Sequence, residues 1–206
     1  MKRLFVATKN AGKLRELRAI FARGYELETY PLYDDVEEGE TSYAENAALK
    51  ARALHAQLEA AGLAAAVLGD DSGLEVAVLD GRPGVLSARY AGVGATWAER
   101  RRTLLDEIGR SRSVDRSARF FCALHYIEAD GREWSASGEV AGVIAGEEVG
   151  RAGFSYDSIF ALSAGGPTFA EMRAEEKNAI SHRARAVSGL FDALNASARG
   201  AGNGRA

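Results

Sequence analysis

The chain has 206 residues, 47% of them hydrophobic and 27% charged, with a formal net charge of −3. That composition suits one globular domain able to bury a real core and argues against non-specific nucleic-acid binding. A single cysteine, Cys122, excludes a disulfide framework and a metal–thiolate cluster. The opening residues carry too short an apolar run for a secretory signal, and nowhere do about 18 apolar residues follow one another, so a cytoplasmic protein without a membrane segment is expected.

In chain order, Leu4–Ala7 reads as a strand. It is followed by the polar loop Thr8-Lys-Asn-Ala-Gly-Lys13 and a helix with Leu14, Leu17, Ile20 and Phe21 on one face. A loop entering a helix offers backbone N–H groups and a positive dipole end, so Thr8, Asn10 and Lys13 could face phosphate; Thr8 and Asn10 equally suit helix caps. The P-loop spacing is absent. Ser42 and Glu45 fit a capping box for the next helix, through Leu54 and Leu58. The acids before it, Glu37 and Glu38, form either a solvated turn or a carboxylate source for a metal.

Ala64–Leu68 predicts a short buried strand ending at Asp70, Asp71, Ser72 and Gly73. Two acids there can hold Mg²⁺, which takes one or two protein carboxylates and leaves its other positions to water and phosphate; a surface turn is the alternative. Leu74–Val78 alternates like a strand, and Thr96 with Glu99 signals a helix whose apolar face is Trp97, Leu104, Leu105 and Ile108, with Arg100 to Arg102 on its wet side. Arg119–Ile127 and Trp134–Val140 read as a long hairpin that makes His125 a sheet residue. Strands alternating with helices early and pairing by hairpin later place the chain in the α/β class, with a mixed sheet and helices packed on it.

Gly153–Phe160 sets Phe154 and Tyr156 around Ser155, with Asp157 following. Stacking of a nucleobase on an aromatic ring, with Asp157 accepting its N–H groups, is one use; a strand with core aromatics is the other. Thr168–Glu171 carries a helix-start signal. Lys177, Ser181 and His182 lie about a turn apart, ahead of a helix with Val187, Leu190, Phe191 and Leu194 as its apolar face. Residues 1–196 read as one domain, and 197–206 as a flexible tail, small and glycine-rich.

Several of these motifs, in this order, resemble the inosine/xanthosine triphosphate pyrophosphatases. They are Thr8 to Lys13, the Glu-Asn-Ala of Thr41–Ala51, Asp70-Asp-Ser-Gly-Leu-Glu-Val76, Pro83–Gly92, Phe154–Phe160, and Ala170-Glu-Met through Ser181-His-Arg183. The resemblance implies an elongated two-lobed α/β fold with a central active-site cleft, a homodimer, and Mg²⁺-dependent hydrolysis of a purine nucleoside triphosphate to monophosphate and pyrophosphate. It puts Thr8, Lys9, Asn10, Ala11, Gly12 and Lys13 on the triphosphate and makes Asp71 the proton acceptor beside Asp70. Glu37 and Asp71 become metal ligands, and Ser72, Phe154, Ser155, Tyr156, Asp157, Lys177, His182 and Arg183 substrate-binding residues. Three positions depart from the pattern: Ser155 replaces a glycine, Ser158 a proline and Ala184 a glycine. If the replaced glycine has positive φ, a serine there is strained. A Maf-type pyrophosphatase of different base preference and a catalytically silent nucleotide-binding protein are the alternative readings.

Overall fold

A computed structural model describes residues 1–21 and 24–202. Among them are β1 (Lys2–Ala7), α1 (Ala11–Ile20), β2 (Tyr25–Glu28), α2 (Tyr43–Ala60), β3 (Ala66–Val76), α3 (Trp97–Ser111), β4 (Ser117–Ile127), β5 (Glu133–Ile144), β6 (Phe160–Ala161), α4 (Ala174–Ile180) and α5 (His182–Gly202). The strands hydrogen-bond in the order β2-β1-β3-β4-β5-β6. β1 is parallel to β2 and β3, while β6 is antiparallel to β5, so the sheet is mixed and the fold α/β, as expected.

The chain forms two compact units: one from Met1–Asp71, Cys122–Gly138 and the chain from His182 on, the other from Ser72–Phe121 and Glu139–Ser181. In the first, alternate strand residues point to opposite faces. Leu4, Val6 and Leu68 pack with Leu17 of α1 and with Val187 and Leu190 of α5. Phe5, Ala7 and Val67 pack with Ala51, Leu54 and Leu58 of α2. Both faces are covered, as parallel strands require, and each large side chain so buried contributes about 2 kcal/mol. The second unit has its own core, in which Leu74, Val76, Leu104, Ile108, Phe120, Ile144 and Phe169 meet.

Capping follows the sequence closely. Thr96 and Glu99 bond reciprocally at the start of α3, and Ser42 accepts the Glu45 N–H at the start of α2. Three expectations shift. The strand read as ending at Leu68 continues through both aspartates to Val76, because their carboxylates find buried partners and the chain has no need to turn them to water. Thr168–Glu171 closes a turn in which Glu171 accepts the Thr168 N–H at 2.7 Å, and the helix begins at Ala174. Helix α5 runs on to Gly202, past the expected tail boundary at 197, while residues 203–206 lie outside the described residues.

Gly69 decides where α2 lies. A Cβ there would sit 2.0 Å from the Ala47 carbonyl oxygen, so only glycine lets the helix rest this close to β3. That approach carries Asn46 and Lys50, one turn apart, onto Asp71. Gly69→Ala is expected to cost about 2–3 kcal/mol by overpacking and to lower the melting temperature by several degrees; an unchanged melting temperature in a thermal scan would contradict this packing.

Candidate active site

Neighbouring residues of a strand face opposite ways, so Asp70 and Asp71 enter different surroundings. Asp70 accepts Lys13 Nζ on one oxygen at 2.7 Å and Arg183 Nε on the other at 2.7 Å, with the Cys122 thiol 3.5 Å away. Arg183 also donates through Nη1 to the buried Glu16. Its helix can come this near because β5 has Gly138 there: a Cβ would lie 2.4 Å from the His182 carbonyl oxygen. Burial opposes ionisation of Asp70, but Arg183 and Lys13 outweigh it and hold the carboxyl well below the usual range.

Asp71 accepts from Asn46 Nδ2 at 3.1 Å and Lys50 Nζ at 3.3 Å. Asn46 is itself oriented by the Gly39 N–H, 2.8 Å from its Oδ1, and Lys50 is shared with Glu38 at 2.6 Å. Here burial wins: it pushes the Asp71 carboxyl above its ordinary value despite Lys50 and Lys13, and the Glu38 charge adds to the rise. The same burial would lower Lys50, yet Asp71 and Glu38 keep it protonated. The two adjacent acids are thus shifted in opposite directions by their surroundings.

Asp71 and Glu38 converge on one cationic nitrogen. Two hard carboxylates around a positive charge fit a divalent, oxygen-seeking cation of the Mg²⁺ kind, which needs few protein ligands when phosphate supplies others. No group of three or more potential metal-ligating side chains occurs among the described residues. Of the two candidate acids it is Glu38 that shares Lys50 with Asp71; Glu37, the expected ligand, is exposed.

The Thr8–Lys13 loop enters α1 as expected, but most of its polar groups act on one another. Asn10 caps the helix, accepting Gly12 N–H at 2.9 Å and Lys13 N–H at 3.2 Å, and Thr8 Oγ1 accepts the Asn10 N–H at 3.1 Å. Lys13 keeps 14% of its side chain exposed while it bonds Asp70. Thr8, Lys9, Asn10 and Ala11 border an open cavity of about 360 Å³ together with Tyr30 and Tyr33.

In the second unit, the segment expected to hold a base divides. Tyr156 is fully buried, edge-on to Trp97, with its hydroxyl donating to the Ser87 carbonyl at 3.0 Å, so it is a core residue and no stacking platform. Asp157 is also buried: its Oδ2 accepts the Phe154 N–H at 2.7 Å and Lys177 Nζ at 2.5 Å. Phe154 and Ser155 are half-buried, and the Lys177 ammonium lies 5.2 Å from the Phe154 ring centre.

The first unit therefore gathers Thr8 to Lys13, Asp70, Asp71, His182 and Arg183; the second holds Ser72, Phe154 to Asp157 and Lys177. Arg183, read as part of a base pocket, is 1% exposed and is held by Asp70 and Glu16. His182 is buried at the start of α5. Glu16, Asn46 and Lys50 were given no role from sequence. Asn46 and Lys50 did carry a signal: polar residues four apart beside the apolar stripe of Ala47, Ala51, Leu54 and Leu58.

A buried pair of carboxylates on a mixed α/β sheet marks the candidate site, and comparison with known proteins identifies the class. The Ham1 family model matches residues 4–193, and the chain belongs to that family. It is 43% identical over 194 residues to the dITP/XTP pyrophosphatase of Listeria innocua, covering 92% of this chain and 93% of that protein. It is 43% identical over 198 residues to the dITP/XTP pyrophosphatase of Geobacter sulfurreducens, covering 94% and 97%. The solved structure of a HAM1 protein from Coxiella burnetii superposes with a TM-score of 0.80 at 36% identity, covering 95% of this chain and 99% of that one.

Removing one partner from a buried ion network costs about 3 kcal/mol, so Asp70→Asn, unfolded in urea with chelator present, is expected to lose about that much at neutral pH. The folded carboxyl titrates below its unfolded value of about 3.9, so the loss is complete above that pH and shrinks as pH falls through the folded value. A difference that grows towards acid would contradict the assignment.

Proposed function

We propose that the chain hydrolyses non-canonical purine nucleoside triphosphates, the inosine, deoxyinosine and xanthosine triphosphates, between the α and β phosphates. The observation that carries this reading is a chain of the Ham1 family in which two adjacent buried carboxylates of β3 face different partners, Lys13 and Arg183 on one and Asn46 and Lys50 on the other. The dITP/XTP pyrophosphatase names of its relatives support the substrate class.

Asp71 accepts a proton from the attacking water, its carboxylate being held on β3 by Asn46 and Lys50. The water oxygen bonds the α phosphorus, and the bond from that phosphorus to the bridging oxygen breaks, its electron pair leaving with pyrophosphate. Lys13 neutralises charge on the departing group. Asp71 with Glu37, the expected ligand, or its neighbour Glu38 would hold Mg²⁺, which supplies charge neutralisation on the phosphates when bound. Phe154 stacks on the base, worth about 1–3 kcal/mol. Donors aimed at the purine C6 keto oxygen are left unpaired by adenine, at about 1–3 kcal/mol for each.

The enzyme is further taken to be a homodimer, as the family resemblance implies, and cytoplasmic, as its composition suggests. Its acidic balance speaks against nucleic acid as a partner, and no helix among the described residues is long and apolar enough to cross a membrane.

Deoxyinosine triphosphate, ATP and GTP, each assayed with and without Mg²⁺, test the reading. Mg²⁺-dependent release of pyrophosphate, strongly favouring deoxyinosine triphosphate, is expected. Orthophosphate as the sole product, or equal rates on all three, would overturn it. Asp71→Asn is expected to lower kcat at least about 100-fold with the fold retained by circular dichroism; a wild-type rate would remove Asp71 from the chemistry.

A further inference from the structure

Helix α3 presents Arg101 to the turn that carries Phe154. Arg101 Nη1 donates to the Ser155 carbonyl at 2.7 Å and Nε to Glu148 Oε2 at 2.7 Å; the same Glu148 oxygen accepts Ser158 Oγ at 3.1 Å. Ser155 has φ +59°, in the left-handed region that a residue with a Cβ disfavours. Both sides of it are anchored. Phe154 N–H is held by Asp157, and Tyr156 is fixed in the core by Trp97 and Ser87. Between these anchors, Arg101 grips the carbonyl oxygen of Ser155 itself. An open cavity of about 320 Å³ borders Arg101, Glu148, Phe154 and Ser155.

We propose that Arg101 is a positioning residue for base recognition: braced on Glu148, it holds Ser155 in a backbone conformation that serine alone disfavours, and so fixes where Phe154 presents its ring. This rests on the reading that Phe154 receives the base. The bond to Ser155 is charge-assisted, which makes it strong enough to offset the conformational cost of one left-handed residue. The guanidinium fork suits the task because one planar group reaches both the carbonyl and the carboxylate. Ser158 adds a second donor to Glu148, so both serines of the turn meet the same Arg101–Glu148 pair.

The test is a cycle of KM and kcat for deoxyinosine triphosphate in the unmutated enzyme, Arg101→Ala, Ser155→Gly and the double variant. Losing the clamp is expected to raise KM about tenfold in the serine background with kcat changed less than about twofold, because the turn binds and the chemistry lies elsewhere. In the Ser155→Gly background, where the left-handed conformation carries no penalty, the same Arg101→Ala change is expected to move KM less than about twofold. An unchanged KM in the serine background, or an equal rise in both, overturns the proposal, since a merely structural role for Arg101 would not depend on residue 155. If Arg101→Ala does not fold, Glu148→Ala takes its place, with a smaller rise that Ser155→Gly again suppresses. An unmutated enzyme without hydrolysis defeats the proposed function and this inference together; hydrolysis without coupling defeats this inference alone.

Discussion

The contact on which the site depends is the burial of Arg183 between Asp70 and Glu16. Moving a guanidinium and two carboxylates out of water costs several kcal/mol for each ion, so the arrangement is stable only because the hydrogen bonds are made. It ties the start of α5, the middle of β3 and the body of α1 to one point, although Glu16 and Arg183 are 167 residues apart. It also holds Asp70 as an anion between Arg183 and Lys13, which is why the proposed mechanism gives the proton-accepting role to its neighbour on the opposite face of the strand.

Asp71 is prepared by a different device. Helix α2 approaches β3 over Gly69, and its buried polar residues meet the carboxylate without fully neutralising it. Two glycines, Gly69 and Gly138, thus let two helices come close to the strands they cover, and each helix delivers the groups that tune one aspartate. Packing and electrostatics are here one design: the close approach brings the charge, and the burial sets its effect.

What could be read from the sequence was mainly local. The Thr96–Glu99 capping box, the hairpin from Ser117 to Ile144 and the apolar face of α5 depend on residues near one another in the chain, and the structure contains them. The acids of interest were also found, as a pair. What could not be read was the choice of distant partners. The helical wheel makes Arg100 and Arg101 a solvated face, yet Arg100 is buried against Trp97 and Arg101 grips a turn 54 residues away. Tyr156 fits a base pocket by residue type and instead lies in the core, while Asp157 also secures the turn that carries Phe154. Glu37 and Glu38 differ by one place, and only the folded chain puts the second one on Lys50.

The central proposal is that water attacks the α phosphorus of the triphosphate. Hydrolysis of deoxyinosine triphosphate in oxygen-18 water, followed by mass spectrometry of both products, tests it most directly. The label is expected in the nucleoside monophosphate and absent from pyrophosphate. Label in pyrophosphate would place the attack on the β phosphorus and contradict the chemistry derived for this pair of carboxylates.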